Sequence, residues 1–128
     1  MFLKNRKVVR TVQIIFGLIL VLFGLNIFFQ FMPGPQFNEA GTAYLGALFS
    51  TGFIFPVMGI VFLASGIMYV VGKFSAFASV LLFPFSINIM LFHLIIDVTG
   101  ILVGFTIFVL NVYFILIDLE KFKPLFSK

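Results

Sequence analysis

The stretch SINIMLFHLIID, Ser86 to Asp97, holds the groups of this chain best suited to chemistry. His93 is the only histidine, and Asp97 follows it by four positions, which on a helix places both on one face within hydrogen-bonding reach. Such a pair fixes the imidazole tautomer and can hold a quinone carbonyl or pass a proton to a membrane surface. A purely structural reading stands beside it: His93 snorkels to an interface, and Asp97 or Thr99 caps the helix that follows. Asn88, deeper in the same segment, is costly to bury in lipid and marks either a ligand contact or a helix-to-helix bond. Asn26 and Gln30 form a second polar pair at i and i+4 on an earlier segment.

The elements that position these groups follow from composition. With 62% hydrophobic and 9% charged residues in 128 positions, the chain has too little polar surface to cover a water-soluble globule. Lipid must solvate it. A hydrocarbon core about 30 Å thick needs roughly 20 helical residues, and four apolar runs approach that length: Thr11 to Phe31, Phe53 to Val71, Phe74 to Ile96 and Gly100 to Ile117. The runs are continuous rather than alternating, which excludes the strands of a β-barrel. The first run is longer than a signal-peptide core and lacks a small-x-small cleavage site after Phe31, so it reads as a retained helix.

Basic residues set orientation. Lys4, Arg6, Lys7 and Arg10 precede the first run, Lys73 lies between the second and third, and Lys121, Lys123 and Lys128 follow the fourth. Four crossings gather all eight on one side and leave Glu39 and Asp97 on the other. The expected fold is therefore an all-α, four-transmembrane-helix antiparallel bundle forming one domain over residues 1–128, with both termini cytoplasmic. The net charge of +4 is accounted for by this topology and by contact with anionic lipid head groups, so it carries no nucleic-acid message.

Connections differ in length. A Gly-Lys turn joins the second and third runs, and Asp-Val-Thr-Gly joins the third and fourth. Only Met32 to Gly52 is long; it opens on Pro-Gly-Pro and then carries Tyr44, Leu45, Leu48 and Phe49 at helical spacing, which predicts a short interfacial or re-entrant helix. Gly17 with Gly24, Gly59 with Gly66, and Gly100 with Gly104 mark close helix contacts, within the monomer or at a dimer face. Pro84 cannot bond the carbonyl of Val80 and is expected to kink its helix. By depth, Asn26, Gln30, Asn88, His93 and Thr106 should share the outer leaflet beneath Glu39 and Asp97.

Other chemistry is thin. One histidine and no cysteine supply neither a haem ligand pair nor a zinc site from this chain, so no metal is assigned. No phosphate loop or nucleophile-base-acid set can be assembled, and no catalytic residue is assigned.

The segments GLILVLFGLNIFFQFMPGP (Gly17 to Pro35), MGIVFLASGIMYVVGK (Met58 to Lys73) and LLFPFSINIMLFHLI (Leu81 to Ile95) resemble the DoxX and DoxX-like membrane proteins. The resemblance covers Phe16 to Asp97 and rests most on a proline followed by an asparagine and Phe-His in the third helix. It implies four transmembrane helices and a redox-membrane setting, since the family takes its name from a subunit of a thiosulfate:quinone oxidoreductase. Many relatives carry a glutamate in the second helix where this chain has Phe62. Together these readings predict a small subunit in the bacterial inner membrane that binds a quinone-like or lipid-like molecule through Asn26, Asn88 and His93, with Asp97 orienting His93. The rival expectation is a non-catalytic accessory or scaffolding subunit of a larger membrane complex or homo-oligomer.

Overall fold

Asn5 starts the first helix: its side-chain oxygen accepts the backbone N–H of Lys7 at 2.9 Å, satisfying one of the donors a helix N-terminus leaves open. In this computed structural model, residues 5–34 and 36–126 are described. Lys4 and Lys128, counted above among the basic residues, and Pro35 of the Pro-Gly-Pro turn lie outside them. Helix α1 covers Arg6–Phe29, starting a full turn before the apolar run because the cap lies at Asn5. It stops where Gln30 enters the left-handed region at φ 50° and donates its N–H to the Asn26 carbonyl at 2.7 Å.

The long connection contains α2, Glu39–Ser50. Asn38 caps it by accepting the Gly41 N–H at 2.7 Å, and the acidic Glu39 sits favourably in its first turn. Helix α3, Ile54–Val71, ends at Gly72, whose φ of 82° needs a residue without a Cβ. Helix α4, Ser75–Leu91, carries Pro84 without ending there. It passes into a π-helical turn, Phe92–Ile96, in which Asp97 donates its N–H to the Phe92 carbonyl at 3.0 Å. Helix α5 covers Ile101–Ile117, and a short α6, Leu119–Phe122, is followed by a 3-10 turn over Lys123–Phe126.

The described residues are all helix, turn and coil, with no strand. Three segments are long and apolar enough to cross a membrane: Arg6–Phe29, Ile54–Val71 and Ser75–Ile96. A fourth crossing follows if α5 and the Leu119–Phe126 segment, set at 74° to it, are one bent span.

Close approach of backbones organises the packing. A Cβ built at Gly17 would lie 2.6 Å from the Gly66 carbonyl oxygen, and one at Gly66 would lie 2.7 Å from that of Gly17. Only glycine lets α1 and α3 meet at this distance, which in lipid supplies the dispersion contact that the hydrophobic effect does not. Gly24 faces Gly59 farther along. Beside the first pair, Phe16, Tyr69 and Phe114 join α1, α3 and α5 through rings whose centroids lie 5.1 to 5.9 Å apart, each less than 2% exposed. Gly100 has a backbone role. It holds φ 78° ahead of α5, which has no side-chain cap, so neither Asp97 nor Thr99 caps that helix.

Candidate functional site

Cavity geometry begins with Phe92. Its ring meets Phe37 edge-on at 5.3 Å and Tyr44 at 5.4 Å, which holds α2 and the segment before it against the π turn. Between α2, α3 and α4 this leaves a cavity of about 310 Å³. Leu45 and Leu48 of α2, Ile54 and Met58 of α3, and Phe85 and Ile89 of α4 give it apolar walls; Tyr44, Asn88 and His93 supply the polar groups. A mostly apolar hole with a few convergent polar groups is what a small-molecule site looks like, and this volume lies at the low end of the usual range of about 300–1,000 Å³.

His93 is 8% exposed and lies in the π turn, beside Gly104 of α5. A Cβ at Gly104 would come within 2.5 Å of the imidazole Cδ2, so the second glycine of the GxxxG makes room for this ring. The imidazole Nδ1 lies 3.2 Å from the Asp97 backbone carbonyl. A carbonyl only accepts, so Nδ1 carries a proton in this contact, and Nε2 of the neutral ring is an acceptor. The expected pairing of imidazole with carboxylate is therefore corrected: Asp97 orients His93 through its main chain.

The Asp97 carboxylate serves the loops instead. One oxygen accepts the Thr99 N–H at 2.9 Å and the other the Asn38 N–H at 2.5 Å, tying the start of α2 to the turn before α5. These two donors, Thr99 first, hold the carboxyl below the usual carboxylate range. Asn88 is exposed and donates to the Pro84 carbonyl at 2.9 Å, one turn back on its own helix, while keeping its amide oxygen and a second N–H for another partner.

The expected outer polar cluster does not assemble as a unit. Asn26 is not among the residues that line the cavity; its side-chain oxygen accepts the Met32 N–H at 2.7 Å and closes the end of α1. Gln30 is exposed, and Thr106 is exposed with its hydroxyl turned back to the Leu102 carbonyl at 2.7 Å. Phe62, at the position where the resemblance expects an acid, is 3% exposed in the apolar core.

A larger polar assembly lies toward the Lys73 end and escaped the sequence reading. Tyr69 and Ser79 hydroxyls are 2.6 Å apart; because Ser79 donates to the Ser75 carbonyl at 2.9 Å, Tyr69 is the donor between them. Asn111 of α5 donates to the Ser79 carbonyl at 3.0 Å, and Ser86 lies 2.5 Å from the Asn111 side-chain oxygen. Ser65 reaches the Ala78 carbonyl at 3.4 Å, and Ser75 donates to Asp118 at 2.9 Å. Ser65, Tyr69, Ser79, Ser86 and Asn111 are all fully buried. Their signal was helical spacing: Ser65 and Tyr69 are four apart, and Ser75, Ser79 and Ser86 follow at four and seven. Every one of these groups finds a partner on the protein, and none lines the cavity, so the assembly joins α3, α4 and α5 rather than receiving a ligand.

Comparison with protein-family models, with curated proteins and with solved structures finds no match for this chain.

Proposed function

We propose that this membrane protein binds a quinone-like or lipid-like molecule in the cavity between α2, α3 and α4. The observation that carries the reading is the cavity itself: about 310 Å³ with apolar walls and Tyr44, Asn88 and His93 along its lining. A ring or head group fits that volume, and an isoprenoid or acyl chain would continue between the helices. Neutral His93 offers an acceptor to a quinol-type hydroxyl, and a protonated imidazole would donate to a quinone-type carbonyl. Asn88 adds its free amide donor and acceptor. A DoxX-like identity, a place in the bacterial inner membrane and service as a small redox-system subunit belong to the same proposal.

The proposed topology is an antiparallel four-crossing bundle with both termini cytoplasmic and Asp97 facing outward. Its support is pairwise: Gly17 lies against Gly66 and Gly24 against Gly59, while Arg6, Arg10, Gly72 and Ile117 border one cavity. Placing those four residues at one end brings the basic segments to one membrane face.

The test is native mass spectrometry on protein extracted gently into nanodiscs, with solvent extraction to identify what co-purifies. Met58→Trp fills the cavity and is expected to expel the molecule; His93→Ala is expected to weaken its retention. Equal retention by the wild type and Met58→Trp would overturn the proposal. An empty cavity together with a stoichiometric partner protein would favour the accessory-subunit reading.

A further inference from the structure

We infer that the Arg6–Arg10 cavity at the Lys73 end is a binding site for a phosphate group, the chemistry shared by an anionic phospholipid head and a free phosphate ion. It is separate from the cavity of the preceding section. Ile54 borders one and Gly72 the other, and a rise of 18 residue steps along α3 sets these two residues about 27 Å apart.

The site is built around a fixed guanidinium. Arg10 donates from Nη1 to the Gln13 side-chain oxygen and to the Tyr69 carbonyl, each at 2.8 Å, and from Nη2 to the Val70 carbonyl. Two of the carbonyls that the C-terminus of α3 leaves open are thus satisfied, and the cation sits where the helix dipole favours it. The same bonds hold the guanidinium plane over Gly72, where even a Cβ would meet Arg10 Cζ at 2.9 Å. Three of its five N–H donors are used, which leaves Nε–H and one Nη2–H without a described partner.

Charge is left over as well. The ion pairs among the described residues are Lys121 with Asp118 and Lys123 with Glu120, so neither Arg6 nor Arg10 meets a carboxylate there. Both arginines line the cavity of about 610 Å³, along with Val9, Gln13, Gly72 and Ile117. A pre-positioned guanidinium with spare donors and a second arginine beside it, neither of them in an ion pair among the described residues, match a phosphate, whose oxygens accept several charge-assisted bonds at once. Val9 and Ile117 give the rim an apolar side, which suits a phosphate attached to acyl chains.

The experiment compares full-length protein in phosphatidylcholine nanodiscs with protein in nanodiscs that also contain phosphatidylglycerol, reading retained lipid by native mass spectrometry. Wild type should retain phosphatidylglycerol preferentially. Arg6→Gln, which leaves the α3 cap intact, should lower that retention about fivefold, the weight of one cation near a membrane surface. Lys7→Gln removes the same charge from outside the cavity and should leave retention unchanged. Inorganic phosphate that displaces the lipid, or that stabilises the detergent-solubilised protein in an Arg6-dependent way, would identify the free ion as an occupant of the same site. No preference between lipids and no response to phosphate would overturn the inference. So would equal effects of Arg6→Gln and Lys7→Gln, which would mean diffuse attraction rather than a site.

Discussion

The two halves of the helical assembly handle polarity in opposite ways. Toward the Lys73 end, Tyr69, Ser79, Ser86 and Asn111 are fully buried and bond across helices, and none of them lines either cavity. Toward the Asp97 end, Asn88 and His93 bond to carbonyls of their own segment and stand beside a cavity. In a medium without water, a polar side chain needs a partner. Where neighbouring helices supply it the residue is part of the scaffold; where the partner is local and space remains beside it, capacity is left for a ligand.

Asn111→Ala should break this contrast most severely. It removes the bond to the Ser79 carbonyl and the acceptor for Ser86, both fully enclosed, and opens a void at the centre of α3, α4 and α5. Unpaired buried groups cost about 1–3 kcal/mol, so a loss of about 2–3 kcal/mol is expected from reversible unfolding in mixed detergent. A loss below about 0.5 kcal/mol, the level of an ordinary surface substitution, would show that the network does not carry the helix packing.

Gly104→Ala comes next and couples the halves, because the methyl would meet His93 Cδ2 at 2.5 Å. Overpacking of that size costs about 1–3 kcal/mol, and the displaced imidazole should also weaken retention of the cavity's occupant. Unchanged stability and retention would mean that the His93 ring has freedom the packing does not suggest.

How far the sequence revealed this contrast depends on the kind of signal. Apolar runs and the Gly-Lys turn gave the helix ends to within a residue or two, except the start of α1, which lies five residues before the apolar run, because length and continuity of hydrophobicity are averages over many residues. The short helix in the long connection was legible from Tyr44, Leu45, Leu48 and Phe49. His93 and Asn88, which the structure places along the cavity, were legible as candidates because each is rare in an apolar setting. Asn26 was not separable from them, since its bond to the Met32 N–H depends on where α1 ends. A serine in lipid commonly bonds its own helix, as Ser79 and Ser86 do through the Ser75 and Phe83 carbonyls; that they also meet Tyr69 and Asn111 is set by the rotation of three helices. The role of the Asp97 carboxylate turned on Asn38, 59 positions away, which no local spacing encodes.

Asp97→Asn tests the ties at the cavity end by pH. The native carboxyl is held below the usual range by the Thr99 and Asn38 N–H groups. Its contribution is therefore fully present above the ordinary carboxylate pKa and disappears as pH falls through the lowered native value. Amide hydrogen exchange at Asn38 and Thr99 should speed up over that acid window in the wild type and be fast at every pH in Asp97→Asn. Protection that does not vary with pH in the wild type would remove the carboxylate from the linkage.

Asn88→Ala is expected to have the smallest effect on stability and is the most direct comparison with Asn111. Both are asparagines within apolar helices, yet Asn88 is exposed and bonds only the Pro84 carbonyl of its own helix. Alanine, the better helix former, offsets the loss of that bond, so unfolding should change by no more than about 0.5 kcal/mol. Retention of the co-purifying molecule should nevertheless fall, because the free amide donor and acceptor are removed from the cavity wall. A variant as destabilised as Asn111→Ala would place Asn88 in the scaffold, whereas unchanged stability with weakened retention would separate the two asparagines by role.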